Sequence, residues 1–373
     1  MSDLKSILVL FEVKAKNQKK AELIEAIQRA FINDIRRVWN ALSGLEKSAV
    51  VETCYAADLI YRKSKIKAKY GEAPRFSKGK DNGYSSYRGE LTQINTFIFW
   101  SRELREQVVP DDLATAVRQL VPEPAAASVM GKEKLDDEGE LTVRETELEA
   151  MDEVITLLRL ADKGDLKVTQ KTGFPTAGGK VKLLGSLSNG DFYPPDVAFK
   201  NDKKSWEDEI GMIKPVGWGR LLNVAGFLGG SGTRSKLTAS GMKALGQPAH
   251  EVIRKVWKNW VANNTFDEFN RVDVMKGQKA KGQMTAKPAR RAAIEEALRL
   301  CPAGKWVDVE EFSEFMQAEG FYFEVSRDLW KLYLFDREYG SFGYDGYGEW
   351  GVVQLRYLLV LLFEYAATIG LID

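Results

Sequence analysis

Apolar side chains recur at intervals of three and four residues through much of this chain, and that spacing restricts the fold more than any other feature. Within residues 15–60, Leu23, Ile27 and Ile35 belong to one such series. This interval places side chains on one face of a helix. The extended segments are short and border glycine-rich turns, as at residues 229–232, which is typical of small hairpins. The sequence therefore predicts a mainly α fold with short β hairpins.

The composition excludes several classes of protein. Of the 373 residues, 44% are hydrophobic and 29% are charged, which is typical of a globular chain. The most apolar stretch, residues 355–369, is interrupted by Arg356 and Glu364, so we expect no membrane span and no membrane partner. Cys54 and Cys301 are the only cysteines. Two isolated thiols form no disulfide framework and suit a reducing compartment, so the sequence predicts a cytoplasmic protein.

The first third of the chain is predicted to be a helical domain over residues 1–121. Helices are expected through most of residues 15–60 and again at 90–107 and 111–120. Residues 122–145 are rich in proline, alanine, glycine and acidic side chains. Such a stretch between periodic segments is typical of a linker.

The rest of the chain shows one order of elements twice. Residues 146–247 predict a helix, a short strand, a helix, an insertion, a helix and a hairpin, which is the order of a winged helix-turn-helix. The order recurs over residues 285–373, and residues 248–284 join the two with a helix and a basic loop. We therefore expect an N-terminal helical domain followed by tandem winged-helix-like modules. Only three residues follow Gly370, so the second module is expected to be incomplete, with its last residues beside Trp306.

Several short motifs in this region consist largely of structural residues. They are Leu237-Thr-Ala-Ser-Gly241, Trp257 with Trp260, Phe266-Asp267-Glu268 with Arg271, Pro302-Ala-Gly-Lys-Trp306-Val307, Trp350, Tyr357 and Gly370-Leu-Ile-Asp373. With these motifs, residues 146–373 resemble the helicase-associated domain found at the N-terminus of XPB-type repair helicases and in many bacterial proteins. The resemblance implies an accessory to bacterial DNA transactions, in DNA maintenance or phage defence. The chain has no Gly-x-x-x-x-Gly-Lys-Ser/Thr loop, so the resemblance does not extend to motor activity.

No motif in the sequence predicts catalysis. His250 is the only histidine, and it stands at the predicted start of a helix with no residue nearby in sequence that would orient it. One histidine and two distant cysteines do not make a zinc site. We therefore expect no catalytic residue, no metal and no cofactor. Asp267, Glu268 and Arg271 are expected to form ion pairs at a helix end.

Charge is distributed in blocks along the chain. The formal net charge is only +1, but residues 165–305 hold 24 basic and 13 acidic side chains, a local charge of +11. A basic block of this kind can bind a polyanion while the whole protein stays near neutral. The alternative is that basic and acidic blocks pair with each other. On the first interpretation, the predicted DNA-binding residues are Lys214, Arg220, Arg234, Lys236, Lys276 and Lys279.

The densest cluster of aromatic residues lies in the insertion at residues 321–348. Residues 306–373 hold 13 acidic and 4 basic side chains, a charge that opposes contact with phosphate groups. Aromatic side chains in such a setting favour core packing or a protein interface. The residues predicted for a protein interface are Trp330, Tyr333, Tyr344 and Tyr347.

Three functions are compatible with these features. We expect non-catalytic binding to the phosphate backbone of duplex DNA within a larger assembly, in which a helicase or a defence-complex subunit is the protein partner. A protein-interaction scaffold built of winged helices is the first alternative. The second is a metal-dependent nuclease-like enzyme that uses the carboxylates of Asp196, Glu207 and Glu209 with Lys214.

Overall fold

The computed structural model of the protein describes residues 2–11, 19–78, 90–135, 143–170, 175–192, 212–230, 232–271, 284–328, 331–336, 340–344 and 350–373. The fold is mainly helical, and its strands form short antiparallel pairs, as the sequence predicted. None of the helices within the described ranges is long and apolar enough to cross a membrane. The chain forms two compact units, Met1–Glu133 with Leu300–Phe321, and Lys134–Arg299 with Tyr322–Asp373.

The α-helices and strands are numbered here in chain order. The helices are α1 Ser2–Leu10, α2 Lys20–Asn40, α3 Gly44–Tyr55, α4 Lys63–Tyr70, α5 Asp111–Leu120, α6 Thr146–Asp162, α7 Ala177–Leu184, α8 Ile213–Val224, α9 Ala239–Ala244, α10 Ala249–Ala262, α11 Lys287–Leu298, α12 Val309–Glu319 and α13 Gln354–Leu359. The strands are β1 Ser77–Lys78, β2 Glu90–Leu91, β3 Phe99–Ser101, β4 Glu106–Val108, β5 Leu228–Gly229, β6 Lys236–Leu237, β7 Tyr333–Asp336 and β8 Gly340–Tyr344. A π-helical turn, Val360–Ala366, continues α13.

The core of the first unit is built on α3. Ser43 accepts a hydrogen bond from the backbone N–H of Glu46, and the Glu46 side chain accepts one from the backbone of Ser43. This capping box starts α3, whose Val50 and Cys54 are fully buried. The prediction of a helix at 90–107 is wrong, because β3 and β4 form a hairpin there. Exposure alternates along β3, with Trp100 more exposed than its two neighbours, which is the period of a strand.

Two distant segments pack together in the first unit. Lys132 and Trp306 exchange both of their backbone hydrogen bonds, at 2.7 and 2.9 Å, and α12 packs on α4. Helix α12 buries Phe312, Phe315 and Met316, an apolar stripe that needs a partner surface. The predicted module 285–373 therefore contributes residues to both units. Part of the predicted linker 122–145 is likewise paired within the first unit.

In the second unit, residues 146–237 follow the predicted order of elements. After α6, the backbone N–H of Val168 donates to Thr233 O and that of Ser235 donates to Leu166 O, both at 2.9 Å. The segment around Lys167 thereby lies beside β6, and β6 pairs with β5. Residues 166–168 and this hairpin form a three-stranded arrangement, which we call the wing.

Helix α8 lies inside the second unit. Eight of its 12 residues are buried, and α10 and the π-helical turn both pack on it. A Cβ atom at Gly217 would stand 3.3 Å from the Thr368 hydroxyl oxygen, so glycine permits the close approach of α8 to the residues that follow the π-helical turn. The element that corresponds to the third helix of the predicted module is therefore largely covered.

The element order predicted for the second module is wrong at two points. A two-stranded hairpin, β7–β8, lies within residues 321–348, where an insertion was expected. The last residues contact the start of α6: Thr146 donates its hydroxyl hydrogen to Ile372 O, and the backbone N–H of Glu147 donates to Asp373 Oδ1 at 3.4 Å. The backbone of Trp306 is paired with Lys132 and not with the C-terminal segment.

The contact between Gly370 and α6 yields a prediction with a matched control. Gly370 and Gly164 share a φ of +69°, but a Cβ atom at Gly370 would lie 2.6 Å from Glu147 Cα, whereas nothing lies within 4 Å at Gly164. Both alanine variants incur the cost of a left-handed backbone, about 1–2 kcal/mol, and only Gly370→Ala adds a steric clash. We expect Gly370→Ala to lower the free energy of unfolding by roughly 1–3 kcal/mol more than Gly164→Ala.

Urea denaturation of the two variants would measure this difference. Equal losses would show that the C-terminal segment does not pack closely on α6.

Candidate nucleic-acid interface

Three cations lie on the outer face of the wing. Lys167 stands directly opposite Arg234 in the antiparallel pairing, and Lys236 follows two residues after Arg234. Residues opposite each other, and residues two apart on a strand, share a face of the sheet. All three side chains are exposed, whereas Leu166 and Ser235 are buried on the other face. We call Lys167, Arg234 and Lys236 the cation row.

The cation row places like charges close together. The hydrogen bonds that flank Lys167 and Arg234 run between their neighbours, which makes the two residues a non-hydrogen-bonded pair, the closer type at about 4.5 Å between Cα atoms. Like charges directly opposite each other destabilise a sheet. The Arg234 side chain donates a hydrogen bond to Gly164 O, at 3.3 Å. The row therefore concentrates positive charge on one face of the wing.

One carboxylate lies close to the cation row. Asp165 forms an ion pair with Lys182 at 2.8 Å. The hydrogen bond from Lys182 lowers the pKa of Asp165, and the charges of Lys163 and Arg234 lower it further. Asp165 is thus ionised but shared among several cations, so the surface around the wing remains positive.

Lys214, predicted to contact phosphate, is a buried structural residue. Its side chain is 2% exposed, and its ammonium group donates to Glu149 Oε2 at 2.6 Å and to Glu153 Oε1 at 2.7 Å. A buried ammonium group that is bonded to two carboxylates cannot reach a phosphate group. The prediction that Lys214 contacts phosphate is therefore wrong, because this side chain joins α8 to α6. We call Glu149, Glu153 and Lys214 the buried triad.

Further donors complete the buried triad. Arg144 donates to both carboxylate oxygens of Glu149, and Trp218 Nε1 donates to Glu153 Oε2 at 2.8 Å. Burial by itself raises the pKa of Glu149, but hydrogen bonds from Lys214, Asn189 and Arg144 outweigh it and lower the pKa to about 2. Burial dominates at Glu153 and raises its pKa. The triad is satisfied on all sides, which is the condition for a stable buried ion cluster.

Arg220 is half-buried and packs against the protein. Its guanidinium group lies 5.0 Å from the centre of the Phe266 ring, within the range of a cation–π contact. Burial lowers the pKa of Arg220 to about 10. Of the six predicted DNA-binding residues, Arg234 and Lys236 are exposed on the wing, and Lys276 and Lys279 lie outside the described residues.

The other predicted residues are dispersed. Tyr333 lies in β7, half-buried, with its hydroxyl 2.6 Å from the Ser341 hydroxyl. Tyr344 is the last residue of β8, and its side chain lies outside the described residues, as do Trp330 and Tyr347. The residues of the nuclease hypothesis other than Lys214, namely Asp196, Glu207 and Glu209, also lie outside the described residues. In the described part of the chain, no group of three potential metal ligands is found.

His250 is exposed in the first turn of α10, the position expected for it. Asp267 and Glu268 form ion pairs as predicted, but with Arg290 and Arg291 of α11 at 2.9 and 2.7 Å. The Arg271 side chain lies outside the described residues.

A second buried network, missed in the sequence, surrounds Glu268. This carboxylate is fully buried and accepts hydrogen bonds from Trp260, Tyr357 and Arg291. Arg291 also donates to the carbonyl oxygens of Trp260 and Phe266. The donors come from α10, α11 and α13, so the network fixes three helices around one charge. The adjacent Arg290-Arg291 pair in a helix of apolar periodicity was the only sequence signal for it.

The buried triad provides the next prediction. Removing one partner of a buried ion pair leaves an uncompensated charge and costs about 3–5 kcal/mol, so Lys214→Met should lower the free energy of unfolding by that amount. Lys182→Met removes a lysine whose ion pair with Asp165 is exposed, at 45% and 41% of the two side chains, and should cost about 0–1 kcal/mol. Chemical denaturation would measure both, and equal costs would contradict the structural role of Lys214.

The comparisons with known proteins leave the family of the chain open. No protein-family model, no curated protein and no solved structure matches it. The resemblance of residues 146–373 to the helicase-associated domain therefore stays a prediction.

Proposed function

We propose that the protein binds duplex DNA without reacting with it, and that the wing makes the contact. The observation that carries this proposal is the cation row, in which Lys167, Arg234 and Lys236 point to solvent from one face of the sheet. Positive side chains that neutralise phosphates release condensed counterions, and this release supplies most of the affinity in sequence-independent binding.

The proposal includes a fold assignment for residues 146–237. A helix, a strand, two helices and a hairpin follow each other there, and the strand pairs with the second strand of the hairpin. This arrangement supports a winged-helix module, the first of the two predicted. The second predicted module lacks comparable support, because its Trp306 pairs with Lys132 and its hairpin precedes α13.

The proposed contact is with the DNA backbone and not with base edges. In helix-turn-helix proteins, the recognition helix enters the major groove and reads bases. Here α8 occupies the corresponding position, but eight of its 12 residues are buried, including Lys214, and Arg220 is half-buried against Phe266. A wing that carries only cations and no accessible recognition helix suits phosphate contact without sequence preference.

The burial of α8 also favours a second candidate function, a protein-interaction scaffold. A winged-helix module whose third helix is covered keeps its shape but loses its main means of reading DNA. In that case the wing would present its cations to acidic groups of a protein partner. Binding to duplex DNA separates the two candidates, because only the first requires it.

The experiment is a titration of fluorescently labelled duplex DNA at several salt concentrations, followed by anisotropy. We expect the logarithm of the association constant to fall linearly with the logarithm of the salt concentration. Arg234→Ala/Lys236→Ala should weaken binding and reduce the slope by about 0.9 for each lost phosphate contact.

The control is Lys63→Ala/Lys67→Ala on α4. Both lysines are exposed, and the double variant removes the same charge from the first unit. It should retain the slope of the unaltered protein. Absence of binding at low salt would refute the DNA-binding proposal, and equal effects of the two double variants would refute the assignment to the wing.

A further inference from the structure

The exposed face of α10 is a second concentration of positive charge in the second unit. Arg254, Lys255 and Lys258 are exposed. No carboxylate of the described residues forms an ion pair with any of them. Glu251 stands four residues before Lys255, the spacing of a helical ion pair, yet the Lys255 ammonium group donates to the Ser240 hydroxyl oxygen at 2.7 Å instead.

The spacing of these cations opposes a purely structural role. Arg254 and Lys258 are four residues apart, so they are neighbours on the helix surface, and like charges at this spacing destabilise a helix. The opposite face of α10 already supplies the packing, with Val252, Val256 and Trp260 fully buried. The charged face is therefore not needed for folding and carries a cost in stability.

One cation of this face, Lys255, contacts residues beside the wing. Ser240, which accepts the hydrogen bond from Lys255, is the second residue of α9 and follows the end of β6 by three residues. The Lys255 ammonium group also lies 4.9 Å from the centre of the Phe227 ring, immediately before β5. Lys255 thus connects the hairpin that carries Lys236 to α10.

We propose that Arg254 and Lys258 of α10 bind phosphate groups of the same duplex that the cation row contacts. This inference rests on the proposed DNA-binding function and extends the contact surface from the wing onto a helix. Duplex DNA is the occupant that fits, because it presents a regular line of negative charge. The charged residues on this face are the three cations and one acid, Glu251.

The test compares three double variants in the same salt titration of labelled duplex DNA. Arg254→Gln/Lys258→Gln should reduce the slope by about 0.9 for each lost contact, as Arg234→Ala/Lys236→Ala does on the wing. Lys63→Gln/Lys67→Gln is the matched control, since it removes two exposed lysines at the same four-residue spacing on α4 and should leave the slope unchanged.

Thermal unfolding gives an independent measurement. The Arg254→Gln/Lys258→Gln variant should be at least as stable as the unaltered protein, because like-charge repulsion has been removed.

The outcomes separate the two proposals. No binding by the unaltered protein would refute the DNA-binding function itself. A reduced slope for the wing variant, with an unchanged slope for the α10 variant, would overturn only the inference about α10. A loss of binding equal to that of the α4 control would show an effect of net charge alone and would also overturn it. Weaker binding together with lower thermal stability would assign the α10 cations to folding.

Discussion

The second unit depends on one buried ammonium group. Lys214 lies at the start of α8 and bonds to two carboxylates one helical turn apart on α6, Glu149 and Glu153. Charges removed from water are stable only when they are paired and their remaining donors and acceptors are bonded. This requirement fixes the position of α8 relative to α6, and α8 in turn is the surface on which α10 and the C-terminal helix pack.

The position of α8 affects which residues the second unit exposes to solvent. Because eight of the 12 residues of α8 are buried, Lys214 among them, the cations exposed on the unit include those of the wing and α10 and not Lys214. These elements carry two pairs of like-charge neighbours, Lys167 with Arg234 and Arg254 with Lys258, and both pairs oppose stability. In the proposed function, the phosphate groups of DNA would compensate these like charges.

Local patterns predicted helices and turns well, but they did not predict partners. The apolar spacing of α6 and the glycine turn after α8 depend on residues that are close together in sequence, and α6 and the hairpin were predicted from them. The role of Lys214 was not predicted, because its partners are 65 and 61 residues away and a buried lysine cannot be told from an exposed one in the sequence.

Helix α12 was assigned to a module with its neighbours in sequence, although its apolar stripe packs on α4, more than 200 residues earlier. The short strands at β3 and β4 were missed, since periodicity over three residues cannot distinguish a strand from a helix.

The pairing of Lys132 with Trp306 has a consequence for synthesis of the protein. The first unit consists of residues 1–133 and 300–321, so its final helix emerges from the ribosome only after most of the second unit has been made. Domains generally fold as units during translation, N-terminal first, but here the first unit must wait for a segment that is encoded after most of the second unit. Until then the surface of α4 that α12 covers stays open to chaperones, and a nascent chain stalled between the two segments cannot complete either unit.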